Sequence, residues 1–172
     1  MPIAVNVSAV EFRDKGFVEG VRAILLEIGL AARYLELEVT EGVLMEDAES
    51  TDAVLQELKT MGVHLAVDDF GTGYSSLSYL QQFPIDVLKI DKSFVHRITS
   101  DPDGSSIVSA IIDMGKNLKQ RVIAEGIETE EQRAFLQAHH CAEGQGNLFS
   151  RPLAATQFAH LLEMSMRETV VH

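Results

Sequence analysis

Six polar residues, Asn6, Glu38, Asp68, Lys89, Glu125 and Gln145, each fall at or just inside the end of a short apolar run, and their types suit one chemistry. The densest stretch is His64 to Leu80, HLAVDDFGTGYSSLSYL. There Leu65-Ala66-Val67 ends in the adjacent acids Asp68 and Asp69, and a glycine-hinged loop, Phe70-Gly71-Thr72-Gly73-Tyr74, follows. Adjacent carboxylates repel each other, so something positive is needed to hold them, and a divalent cation is the simplest candidate. Taken alone, the Asp-Asp pair fits an N-cap beside a solvated loop acid equally well. Glu38, Asp68, Asp69, Glu125 and the Asn6 amide are hard oxygen donors, which suit Mg²⁺ or Mn²⁺. His139-His140 beside Cys141 lacks the spaced Cys/His pairs of a zinc site. Lys89 lies between Leu88 and Ile90, where a lysine must be paired with acid or serve chemistry. Two readings of it stand: a salt bridge to a strand-end carboxylate, or a cation that orients an attacking water and stabilises a phosphoryl oxygen. Carboxylates, hard cations and a lysine together suggest metal-assisted hydrolysis of a phosphate ester by in-line attack of water. A Schiff-base lysine fits poorly, because the surrounding acids keep Lys89 protonated.

The elements that must position these residues alternate. Strand-like runs are expected at Ile3–Val7, Tyr34–Thr40, His64–Asp68, Asp86–Asp91 and Arg121–Glu125, with a less regular sixth around Gly144–Ser150. Helical patterns are expected from Phe17 to Leu30, Thr51 to Gly62, from Ser75, Ser105 to Leu118, Thr129 to Ala138, and Thr156 to Met166. Strand then helix, repeated, is the signature of βαβ units and a parallel sheet. A doubly wound sheet and a (β/α)8 barrel both give this order. No glycine-rich phosphate fingerprint follows the first run, which weakens the dinucleotide-binding version. Polar residues at the C-terminal ends of several strands favour a barrel mouth. The expected fold is therefore an incomplete TIM-barrel-like α/β fold of about six βα units, against the eight strands and about 250 residues of a full barrel. Two βα units are missing from the N-terminal side on this count. The missing wall is expected to be filled by a second chain, giving a homodimer, or else the barrel is visibly open.

Composition narrows the function class. The 172 residues carry a net charge of −12 and 46% hydrophobic residues, enough for one folded domain. So acidic a chain is no binder of nucleic acid polymers, though a small nucleotide held through metal remains open. A single cysteine excludes an internal disulfide framework and fits a reducing compartment. Neither a signal peptide nor an apolar stretch of about 18 residues is found, so a cytoplasmic location without a membrane span is expected.

Several stretches together resemble the EAL domain, the bacterial phosphodiesterase family that linearises cyclic di-GMP. They are NVSAVEF at Asn6, LELEVTE at Glu38 to Glu41, DDFGTGYSSL at Asp68, LKID at Lys89, AEGIET at Glu125 to Thr129 and QGNLFSRPL at Gln145. They come in the family order, and the whole chain, 1–172, reads as one partial EAL domain holding barrel strands three to eight. The resemblance implies cyclic di-GMP as ligand, linear pGpG as product and Mg²⁺ or Mn²⁺ as cofactor. It implies that Asn6, Glu38 and Asp68 bind a first metal, and that Asp68, Asp69 and Glu125 serve around a second. Lys89 then holds the attacking water, with Glu125 and Asp68 sharing the catalytic role, and Gln145, Asp69 and Pro152 line the ligand. Glu41 is implied to anchor the loop Phe70 to Ser76, a loop tied to dimerisation in the family, and Glu128 to be a supporting acid.

The chain also departs from the pattern. It contains no Glu-Ala-Leu tripeptide with a following arginine, the motif that supplies a further metal-binding glutamate and a phosphate-holding arginine. Glu11 stands where Gln is usual, His140 where Gly is common, and Asn147 where Tyr is usual. An inactive EAL-like domain, serving as nucleotide receptor or protein-interaction module, is therefore the alternative.

Overall fold

The computed structural model describes residues 2–73 and 77–169. Six strands form one sheet in strict chain order, all neighbours parallel: β1 (Ile3–Val7), β2 (Leu35–Thr40), β3 (His64–Phe70), β4 (Val87–Ile90), β5 (Arg121–Ala124) and β6 (Glu143–Gly144). Parallel neighbours need crossovers, and helices supply them. α1 (Ala9–Phe12) and α2 (Phe17–Ile28) lead to β2; α3 (Glu41–Glu46) and α4 (Ala48–Met61) lead to β3; α5 (Leu77–Gln82) leads to β4. α6 (Lys92–Arg97) and α7 (Pro102–Leu118) lead to β5, α8 (Glu130–Ala138) to β6, and α9 (Ala155–Thr169) closes the order.

Local chemistry accounts for the boundaries. α1, α3 and α6 have no counterpart among the expected helices because they are too short to show an apolar period. Two of them are set by caps: Ser8 and Glu11 form a capping box on α1, and Asp91 accepts from the Ser93 amide at the start of α6. α4 starts at Ala48, three residues before the expected Thr51, because Asp47 caps it through the Ser50 amide. Its end is as expected, with Gly62 left-handed at φ 91°. The helix start expected at Ser75 lies outside the described residues. The sixth run needs correction: only Glu143 and Gly144 pair with β5, and the chain then folds across Ile127 instead of extending to Ser150. Gln145 O accepts from Ile127 N at 3.0 Å, and Leu148 N donates to Ile127 O at 3.0 Å. This crossing demands glycine at 146, where a Cβ would lie 2.2 Å from Ile127 N and O.

One face of the sheet carries the core. Leu37, Val39, Leu65, Val67, Leu88 and Ile90 are buried with Leu44, Leu55, Leu58, Val95, Val108 and Ile112 from the helices. Burial of each such side chain contributes about 1.5–3 kcal/mol. The period of two along a strand puts the polar residues on the other face, and register then aligns them. Asn6 stands beside Glu38, and Thr40 beside Asp68. At the opposite end of the strands, Arg121 grips Glu143 at 2.7 Å and reaches Glu36 at 3.5 Å.

The sheet is not closed: β1 and β6 are its two edges. Ile3 and Val5 on β1 are 59% and 44% exposed, and with Ile24 and Ile28 of α2 they border an apolar groove of about 400 Å³. Within this one chain the described residues therefore form an open barrel wall.

Candidate functional site

β4 brings a lysine into the apolar interior, and acids on β2, on β3 and just past the end of β5 come to meet it. Lys89 is only 3% exposed. Its Nζ donates to Glu38 Oε2 of β2 at 2.5 Å and lies 2.6 Å from Glu125 Oε1 and 2.9 Å from Asp68 Oδ1 of β3. Burial alone would pull the ammonium down, but hydrogen bonds to Glu125, Glu38 and Asp68 outweigh it and hold Lys89 well above its ordinary value. Of the two readings left open by the sequence, the salt bridge is present, and it lies at the mouth of the strands. A protonated amine of this kind cannot form a Schiff base.

The Asp-Asp pair depends on an irregularity. The register of β3 against β4 shifts between Val67 and Phe70, and Asp69 there takes a left-handed φ of 52°. A bulge of this kind re-aims side chains that strict alternation would send to opposite faces. Asp68, Asp69 and Glu125 consequently offer oxygens all within 4.8 Å of one another. Asp68 Oδ1 is buried 2.9 Å from the Lys89 ammonium and has no other partner among the described residues. This clustering of three carboxylates, all hard oxygen donors, fits a divalent cation. Asn6 reaches the same point. With its amide nitrogen inward it donates to Asp68 Oδ2 at 3.1 Å and Glu38 Oε2 at 3.3 Å; with the oxygen inward it adds a further hard donor.

Electrostatics follow from the crowding. Burial pushes the Glu125 carboxyl up, and the Lys89 ammonium partly offsets it. Burial, then the Asp68 charge, also raises Asp69, which shares a hydrogen bond with Asp91. Burial would raise Asp91 too, but the hydroxyl and amide of Ser93 and the Lys92 charge bring it below its usual range. The two carboxyls of that pair are thus shifted in opposite directions, Asp69 up and Asp91 down. Asp91 is absent from the residues singled out in the sequence. Its only local signal is Asp-Lys-Ser at the opening of a helix, which reads as a cap.

The remaining expected residues divide into those near the cluster and those away from it. Gln145 Nε2 donates to Glu125 Oε1 at 2.7 Å, and Pro152 lines the same cavity as Glu125 and Gln145. Glu41 is 2% exposed, and its Oε2 accepts from the Gly71 amide at 3.0 Å. A Cβ at Gly73 would lie 3.1 Å from Glu41 Oε1, so the loop closes directly over this carboxylate. Glu128 is not brought in: its side chain is half exposed, 3.9 Å from His96. The His139–Cys141 stretch is no metal site either. Cys141 is buried with Sγ against Val122 O and Glu143 O, and His139 contacts Ser109 Oγ at 3.1 Å.

Comparison with known proteins gives a consistent result. Residues 1–152 match the family model for the EAL domain. The bifunctional diguanylate cyclase/cyclic di-GMP phosphodiesterase MucR of Pseudomonas aeruginosa is 46% identical over 155 residues, covering 90% of this chain and 23% of that protein. A structure described as PaMucR phosphodiesterase in complex with c-di-GMP superposes with a TM-score of 0.90 at 46% identity, covering 91% of this chain and 64% of that one. Klebsiella pneumoniae BlrP1, solved as a manganese/cyclic di-GMP complex, gives a TM-score of 0.81 at 34% identity over 88% of this chain and 39% of that one. The chain thus spans under a quarter of the MucR protein and about two thirds of the MucR structure.

Proposed function

This chain belongs to the EAL domain family, and we propose that its carboxylate–lysine mouth binds cyclic di-GMP and, with Mg²⁺ or Mn²⁺, hydrolyses it to linear pGpG. The observation that carries this reading is Lys89 within 2.9 Å of Glu38, Asp68 and Glu125, beside the oxygen trio of Asp68, Asp69 and Glu125. The six strands correspond in this reading to the third to eighth of the family barrel. The protein works in the cytoplasm, where its one cysteine stays reduced.

A divalent cation held by Asp68, Asp69 and Glu125, with Asn6 and Glu38 alongside, supplies Lewis-acid stabilisation of the phosphoryl oxygens. The chain's own groups supply orientation. Lys89, fixed by three acids, holds the attacking water and offsets negative charge as it develops on the phosphoryl group. Asp68 and Glu125 flank Lys89 and accept the water's hydrogen bonds, so its lone pair faces phosphorus. The water gives one proton to Glu125 as its oxygen bonds to phosphorus, the bond to the ribose 3′ oxygen breaks in line, and that oxygen leaves as a hydroxyl with a proton from solvent, to which Glu125 then returns the one it accepted. Gln145 and Pro152 line the ligand, and Glu41 holds the adjoining loop.

A second copy of the chain covers the β1–α2 groove in this proposal, because exposed parallel edges with Ile3, Val5 and Ile28 beside them favour pairing. Calorimetry with cyclic di-GMP, with and without Mg²⁺, followed by chromatography for pGpG, tests the activity. Product that depends on the cation supports hydrolysis. Binding without product makes the chain a receptor, and neither result refutes both. Sedimentation of the same sample tests the dimer.

A further inference from the structure

The mouth needs β2 and β5 close together, although β3 and β4 lie between them. Lys89 draws Glu38 of β2 and Glu125 beyond β5 onto one ammonium, at 2.5 and 2.6 Å. On a flat sheet these two strands stand three spacings of about 4.8 Å apart, so this face must be concave. In a closed barrel, pairing around the whole ring imposes such curvature. Here β1 and β6 are free edges, and pairing alone does not fix it.

A second link joins the same two strands nearer their N-terminal ends. Arg121, the first residue of β5, donates from Nη1 to Glu36 Oε2 of β2 at 3.5 Å. Glu36 is 4% exposed, and Arg121 is its ion-pair partner among the described residues. The rest of the guanidinium holds Glu143 of β6, through Nε at 2.9 Å and Nη2 at 2.7 Å. One side chain thus ties β2, β5 and β6. Ala66 and Val87, register partners on β3 and β4, share the face of Glu38 and Lys89. Both are fully buried, yet neither belongs to the core on the helix side. The concave side is therefore closed over them, with Lys89 towards the mouth and Arg121 towards the base.

We infer that Arg121 is a positioning residue for the cation site: by tying β5 and β6 to the buried Glu36, it sets the curl that brings Glu38 and Glu125 together. The inference rests on the reading of the mouth as a metal-dependent phosphodiesterase site and adds a residue at the far end of the strands. Glu38 stands two residues beyond Glu36, and Glu125 four beyond Arg121, so a splay at the base is carried along the same two strands. Lys89 cannot hold the curl alone. A divalent cation competes with its ammonium for the same carboxylate oxygens, whereas Arg121 touches none of them. A buried carboxylate that loses its cation also seeks water, which draws β2 away from β5.

Residues at the N-terminal face of such folds generally serve stability, so the test reads the mouth itself. The full chain is compared as wild type, Arg121→Met, Glu36→Gln and Glu143→Gln, each well below its melting transition. One readout is the nitrogen NMR resonance of the Lys89 ammonium, whose protons exchange slowly while three acids hold them. The other is calorimetric titration with Mn²⁺ alone. Arg121→Met and Glu36→Gln are expected to lose the slowly exchanging ammonium signal. They are also expected to bind Mn²⁺ about ten- to hundredfold more weakly, the usual cost of losing a partner that orients metal ligands. Glu143→Gln leaves the link to β2 in place and is expected to match wild type in both readouts. Glu36→Gln keeps the side-chain volume and carries the test if Arg121→Met does not fold. Wild-type Mn²⁺ affinity with an intact ammonium signal in the Arg121 and Glu36 variants overturns the inference and leaves the reading of the mouth standing. An equal loss in all three variants also overturns it, because general loosening then accounts for the effect. A wild-type chain that binds no Mn²⁺ overturns the reading of the mouth and the inference with it.

Discussion

Lys89→Met isolates the electrostatics of the mouth. The substitution keeps most of the buried volume and removes the one cation that Glu38, Asp68 and Glu125 share within 2.9 Å. Removing one partner of a buried ion pair typically costs about 3–5 kcal/mol, because an uncompensated charge is left behind. Here three acids are left, Glu38 at 7% exposure among them, so the upper part of that range is expected at pH 7 without metal. Against a usual domain stability of about 5–15 kcal/mol, such a loss is easily measured. Two dependences follow. Lys89 is held above its ordinary value in the fold, so in wild type its contribution is complete at all pH values below the unfolded lysine range and falls only above it. In the variant, the acids lose their counter-charge and rise, so protonation favours the fold and the gap to wild type narrows as pH falls from 7 towards about 5. Mg²⁺ or Mn²⁺ replaces the missing positive charge and narrows the gap as well. The assay is urea unfolding of both proteins at pH 7 and 5, with chelator and with added cation. A loss below about 1 kcal/mol at pH 7 in chelator, the scale of an exposed pair, refutes the reasoning. So does a loss that ignores both pH and cation.

Three further outcomes are expected. Glu41→Ala removes the buried acceptor of the Gly71 amide, which costs about 1–3 kcal/mol, and hydrogen exchange at residues 71–73 should quicken. Gly146→Ala forces a Cβ to within 2.2 Å of the Ile127 backbone. No rotamer relieves a clash with main chain, so thermal unfolding should show a loss of several kcal/mol, on the scale of severe core changes, with Gln145 displaced from Glu125. At the other end of the strands, hydrogen bonds from Arg121 hold Glu143 below its ordinary range, so its stabilisation is present above about pH 4.3 and lost as pH falls through the lowered value. Both side chains are over 40% exposed, so Glu143→Gln should cost only about 0.2–1 kcal/mol at pH 7, and unfolding curves for the two proteins should converge in acid.

Much of the fold is legible in the chain because its signals are local. Ile3–Val7 reads as a strand and is one with the same bounds; the α7 and α8 patterns hold to within a few residues. A buried strand needs only a run of apolar, β-branched residues, and a helix of nine or more residues needs only an apolar period and a cap. The sixth run departs from its expected extent because its limit is set from outside. Ile127 crosses it, and a crossing between residues 19 apart leaves no periodicity to read. Asp91 is hidden for a similar reason: its sequence neighbours describe a cap, while its proximity to Asp69 exists only once β3 and β4 are side by side.

The sequence by itself determined the order of strands and helices, the acidic and lysine residues at the strand ends, and the kind of chemistry those types perform. Each of these follows from residue identity and short-range spacing. The tertiary structure decided which carboxylates Lys89 meets and that Asp69 shares a hydrogen bond with Asp91. Those outcomes depend on parallel register and on one bulge at Asp69, which bring residues 36 and 51 positions apart within 3 Å of a single ammonium. Coulomb energies and desolvation vary on that length scale, and spacing along the chain does not record it.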